Sequence, residues 1–120
     1  MSEPILVRID DPEDYVFRKP VCRIRGWCGG TDWTELKGLE FRIGDAHIPW
    51  QAQARPDVIA DHPELLVTGF TFDLDLSQCL YAVHASELAL RVLFPRAPEI
   101  ELPFSVAPGV AANCLAAAGM

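Results

Sequence analysis

Seven residues, "FTFDLDL" (Phe70 to Leu76), alternate apolar and polar side chains without a break. Successive side chains of an extended chain project to opposite faces. Phe70, Phe72, Leu74 and Leu76 therefore share one face, and Thr71, Asp73 and Asp75 the other. A segment of this kind is a strand with one buried and one wet side. The same period recurs. "LKGLEFRI" aligns Leu39, Phe41 and Ile43, "ELALRVLF" aligns Leu88, Leu90, Val92 and Phe94, and "EIELPFSV" aligns Ile100, Leu102 and Phe104. Short strands at close spacing, with one short helical piece, specify an all-β chain folded as an antiparallel β-sandwich.

Proline and glycine punctuate the pattern. "PILVRID" reads as a first strand and "DDPED" as a turn. Pro20 divides "YVFRKPVCRIRGWC", since proline cannot donate to a ladder. After it, Cys22, Ile24, Gly26 and Cys28 share one face, with Arg23, Arg25 and Trp27 opposite. Gly44-Asp45 is a two-residue hairpin signal. "AHIPW" returns as a short strand whose Pro49 assigns it to an edge. "RPDVIADHPELL" has room for one short helical turn around residues 56–62, with Pro56 in its first turn and Pro63 ending it. Residues 1–106 form the sandwich domain. The small, apolar tail 107–120 is flexible or weakly helical.

Composition narrows the functional classes. A formal net charge of -7 opposes nucleic-acid binding, which relies on a basic face, and charge-driven docking onto anionic lipid. No apolar run approaches the roughly 20 residues of a membrane span, so no membrane insertion is expected. The acidic start "MSEPILVRIDDPED" lacks the features of a signal peptide. Cys22, Cys28, Cys79 and Cys114 form no CxxC pair, and a cytoplasmic setting with free thiols is expected.

The candidate chemistry is sparse. "DLD" has the form of the paired carboxylates that hold a divalent ion in sugar-nucleotide enzymes. Asp73 and Asp75 sit inside strict alternation, however, which makes them solvent-facing strand residues. His47, His62 and His84 share no ligand spacing, and Cys28 has no base beside it. No catalytic residue, metal site or cofactor is expected. Arg55 and Asp57 flank Pro56 at the start of the helical turn. They read as a structural clamp, with Asp57 accepting backbone N–H groups and Arg55 donating to carbonyls of a neighbouring strand. Trp27, Trp33 and Trp50 are the candidate binding residues, because aromatic faces offer large area at little entropic cost.

Four segments occur in order: "IRGWC" (24–28), "LKGLEFRIGDAHIP" (36–49), "RPDVIADHP" (55–63) and "TGFTFDLDL" (68–76). Together they resemble the small accessory β-sandwich found beside bacterial family 2 glycosyltransferase domains and some methyltransferase domains. The resemblance covers roughly residues 3–106. It implies an immunoglobulin-like sandwich without catalytic residues, serving surface-glycan assembly through a glycosyltransferase domain or partner protein. "GGTDW" is shorter than the turn this resemblance implies after Trp27-Cys28. The expected function is therefore a non-catalytic accessory module that positions an enzyme or binds its partner. The alternative is a carbohydrate-binding module that stacks sugars on tryptophan.

Overall fold

The computed structural model describes residues 5–31, 38–44, 46–78, 87–117 and 119. In chain order the elements are β1 (Leu6–Asp11), β2 (Val16–Phe17), β3 (Val21–Gly30), β4 (Glu40–Ile43), β5 (Ala46–Ile48) and β6 (Gln51–Gln53). Then come α1 (Pro56–Asp61), β7 (Leu66–Asp75), β8 (Glu87–Leu93), β9 (Ile100–Val106) and α2 (Pro108–Ala117). One sheet has the order β1-β3-β7-β6 and the other β2-β9-β8-β4-β5.

The alternation read from the sequence sets the register. β3 and β7 pair antiparallel along their whole lengths, from Val21 opposite Asp75 to Gly30 opposite Leu66. Ile24, Cys28, Phe70, Phe72 and Leu74 from these strands enter a shared core with Phe41 and Ile43 of β4, Leu88, Leu90 and Val92 of β8, and Phe104 and Val106 of β9. Phe41 joins the two sheets. Its ring centroid lies 4.6 Å from that of Phe70 and 4.8 Å from that of Phe72, within the range for favourable aromatic pairs. Pro20 separates β2 from β3, and β5 lies at a sheet edge just before Pro49.

The all-β expectation is met in its strands, but the sheets are not purely antiparallel. β2 pairs parallel with β9, Val16 beside Ser105 and Phe17 beside Val106. The cause is a crossing of the chain between sheets. After β1, Tyr15 N–H donates to Pro12 O at 3.1 Å, and the chain emerges against the second sheet. There Phe17, fully buried, stacks on Phe104 at 5.0 Å. The tail residues 108–117 form α2, which lays Ala111 and Cys114 into the core and leaves most of its other side chains exposed.

Gly26 shows how closely the layers fit. A Cβ there would overlap the Arg8 carbonyl oxygen and lie 2.7 Å from Phe70 Cζ. The Phe70 ring thus occupies the space that a side chain at its cross-strand partner Gly26 would need. Gly26→Ala is expected to lower stability by about 1–3 kcal/mol, the usual cost of overpacking. Gly109→Ala on α2, where a Cβ meets nothing within 4 Å, is expected to cause no loss, because alanine favours helix. Urea melts of the two variants measure the contrast.

Candidate functional site

The outer face of the β1-β3-β7-β6 sheet is organised by Arg55. Arg55 is the residue before α1, and its side chain turns back over the sheet. Nε donates to Asp57 Oδ1 at 3.1 Å and Nη2 to Asp57 Oδ2 at 3.0 Å. Nη1 donates to Asp10 Oδ2, on the edge strand β1. The acceptors are therefore two carboxylates, in place of the strand carbonyls expected from the sequence. No side chain caps the N-terminus of α1. The Arg55 side chain is 13% exposed, while Asp57 is 65% and Asp10 45% exposed.

Gly69 makes this path possible. A Cβ on Gly69 would overlap the Gln53 carbonyl oxygen and lie 2.5 Å from Arg55 Cγ. The aliphatic stem of Arg55 lies where a side chain would otherwise stand. The two-pronged contact with Asp57 raises the Arg55 pKa above its ordinary value, against the opposing effect of burial. Arg55 in turn holds the Asp57 carboxyl below the usual carboxylate range. A depressed carboxyl stabilises the fold above its unfolded pKa and loses that contribution as pH falls through its folded pKa. Exposure and solvent screening keep the Asp57 contribution small.

Beside the clamp lies an open hollow of about 420 Å³, lined by Asp10, Asp11, Arg25, Gln53, Arg55 and Asp57. The register explains the gathering. Asp11 pairs with Arg25, Arg25 with Thr71, and Thr71 with Gln51, across four strands. Gln53 Oε1 and Thr71 Oγ1 are buried atoms without a hydrogen-bond partner. Arg25 is exposed and makes no ion pair among the described residues. A second groove, about 530 Å³, runs beside it, lined by Arg23, Pro49, Trp50, Gln51, Thr71 and Asp73.

The sequence-predicted residues distribute as follows. Trp50 lines the second groove and is half-buried. Its Nε1 donates to Leu39 O at 3.0 Å, and its ring meets Phe41 edge-on at 5.8 Å. Trp27 lies on the outer face of β3, yet it is only 6% exposed. His62, at the end of α1, packs over it at 5.4 Å between ring centroids. Trp27 therefore presents no open stacking face. Trp33, His84 and Cys79 lie outside the described residues. Asp73 is exposed and pairs with Arg23 at 3.0 Å. Asp75 accepts the Ser77 backbone N–H at 2.9 Å and the Ser77 hydroxyl at 2.7 Å. The two carboxylates thus serve different partners. His47 is on β5 and His62 follows α1.

Cys28 is fully buried, and burial pushes its thiol up to about 12. A thiol so far from ionisation is a poor nucleophile at neutral pH. Among the described residues, no group of three or more His, Cys, Asp or Glu side chains is placed to hold a metal ion, and no helix is long and apolar enough to cross a membrane. The sequence reading missed Asp10, Asp11, Arg25, Gln53 and Thr71 as site residues. Asp10 is remote from Arg55 in sequence, and "QAQA" carries no motif; the only available signal was that Arg25 and Thr71 share the polar side of their strands. The chain matches no family model, no curated protein and no solved structure.

The packing of Arg55 on Gly69 yields a double-mutant test. Gly69→Ala is expected to cost about 1–3 kcal/mol, and Arg55→Ala about 1 kcal/mol, mainly through the lost packing of its buried stem, since the two carboxylates it leaves are exposed to water. The double variant is expected to lose less than the sum of the two, with a coupling of roughly 0.5 kcal/mol or more, as for groups in contact. Additive denaturant melts would disprove the contact.

Proposed function

We propose that this chain is a non-catalytic accessory module of immunoglobulin-like β-sandwich type, which positions a glycan-modifying enzyme by binding it through the outer face of the β1-β3-β7-β6 sheet. The strand orders β1-β3-β7-β6 and β2-β9-β8-β4-β5 support the immunoglobulin-like reading. Lettered in chain order with β2 as an added A′ strand and β5 as C′, they correspond to A-B-E-D on one sheet and to A′-G-F-C-C′ on the other. The link to glycan assembly rests on the four ordered segments from "IRGWC" to "TGFTFDLDL".

One observation carries the binding reading: Gln53 Oε1 and Thr71 Oγ1 are buried and unpaired beside the exposed Arg25 guanidinium, which makes no ion pair among the described residues. Folded proteins satisfy nearly all buried polar atoms. Two unmet buried atoms on one face, next to the exposed Arg25 guanidinium and the Arg55 clamp, suit a surface completed by a partner. Arginine is enriched at such interfaces.

A second reading is favoured by one observation. Trp50 borders a groove with Arg23, Gln51, Thr71 and Asp73, a mixture of one aromatic ring and planar hydrogen-bonding groups that suits a sugar. Calorimetry against a family 2 glycosyltransferase catalytic domain from the same genome separates the two. Saturable binding is expected, weakened tenfold or more in Arg25→Ala and Thr71→Ala at unchanged melting temperature. No binding to that domain, with glycan-array binding lost in Trp50→Ala, would replace the first reading with the second.

A further inference from the structure

The outer face of the other sheet carries a second anomaly. Arg42 on β4 stands directly opposite His47 on β5 and Arg91 on β8, and Arg91 stands opposite Glu101 on β9. His47, Arg42 and Arg91 therefore form one row across three adjacent strands, on the side away from Phe41 and Ile43. Directly opposed residues hold their Cβ atoms about 4.5–5.5 Å apart, and like charges so placed repel. A sheet stabilised only for folding would set an acid against Arg42.

The hydrogen bonding is also incomplete. Arg42 Nε is buried without a partner. The Arg42 Nη2 contact to Glu40 is long, at 3.4 Å. Arg91 commits Nε to Glu99 at 2.9 Å and reaches Gly44 O at 3.5 Å through Nη1. Arg42 Nη1 and Arg91 Nη2 make no hydrogen bond among the described residues. Both side chains reach solvent, Arg42 being 39% and Arg91 36% exposed. Repulsion and unmet donors thus coincide at one place, and local rules are most often broken at functional sites.

We propose that the His47–Arg42–Arg91 row binds the carboxylate group of a ligand. A carboxylate between the two guanidinium groups accepts from both and relieves their repulsion, and its planar pair of oxygens matches the guanidinium fork. The charges around the row select this group over a phosphate. Glu40, Glu99 and Glu101 border the two arginines, so a doubly charged anion meets more repulsion than a singly charged one. The site lies on the sheet opposite the Arg25 face and stands independently of the function proposed above.

The test follows the arginine Nε–Hε resonances of the ¹⁵N-labelled protein during titration with sodium glucuronate. Glucose serves as the same ring without the carboxylate, and inorganic phosphate as the competing anion. About 0.1 M salt screens diffuse attraction beyond roughly 10 Å. Saturable shifts of the Arg42 and Arg91 signals with glucuronate, absent with glucose and reduced at least tenfold in apparent affinity in Arg91→Gln and His47→Ala, would support the site. Equal shifts with glucose, tighter binding of phosphate, shifts that persist in both variants, or shifts that never saturate would each overturn it. The amide spectra of the two variants report whether they keep the native fold, and a variant that does not is replaced by Arg42→Gln.

Discussion

The contact on which the outer layer of this protein depends is the stem of Arg55 lying over Gly69. Arg55 lies between β6 and α1, while its guanidinium reaches Asp57 in α1 and Asp10 on β1. A single side chain thus ties together the two edges of the β1-β3-β7-β6 sheet. It also fixes where α1 begins. From that start, Val58 is buried and His62 is carried over Trp27. Charge alone accounts for little of this, because exposed ion pairs contribute little in water. The shape of the contact matters more: an arginine stem needs a bare backbone beneath it, and glycine at position 69 supplies one.

Beneath that layer the fold is held by ordinary apolar burial. Phe41 meets Phe70 and Phe72 across the interface between sheets, and the inward faces of β3, β7, β8 and β9 close around it. The core leaves the outward faces free to differ, and they do. One face carries the Arg55 clamp, the unpaired Gln53 and Thr71 oxygens and the Trp50 groove. The other carries opposed arginines with glutamates around them. Arg25, Gln53 and Thr71 on one face and Arg42 and Arg91 on the other stand on paired strands, which hold them more firmly than loops would.

The inward faces of β4, β7, β8 and β9 were readable because side-chain direction has a period of two and burial needs only that. Pro20 and Pro49 marked real interruptions for the same local reason, the missing N–H. β6 was not readable: "QAQ" has no apolar side to declare itself, and it is a strand because β7 offers it a partner. The burial of Trp27 was equally hidden, since its cover comes from His62, remote along the chain. At the clamp, Arg55 and Asp57 are two positions apart and visible as a pair, whereas Asp10 joins them only through the pairing of β1 with β3. The parallel pairing of β2 with β9 has no sequence signature, because a two-residue strand is defined by its neighbour. The small-residue tail gave no amphipathic stripe, so the packing of Ala111 and Cys114 could not be foreseen.

The long ladder between β3 and β7 has a consequence for how the protein comes into being. These two strands lie at the centre of their sheet, yet β4, β5, β6 and α1 all intervene between them along the chain. During synthesis β3 emerges well before its central partner exists. For that interval its β7-facing edge has no native ladder to join, and Ile24 and Cys28 lack the Phe70 and Phe72 side chains that later pack beside them. Pairings between residues distant in sequence close slowly, because the chain entropy of the intervening loop is lost before contacts repay it. The charged side chains Arg23 and Arg25, alternating with the apolar ones along β3, then acquire a second role. They keep a waiting strand from pairing edge-to-edge with another copy of itself, as charges on exposed strands do elsewhere.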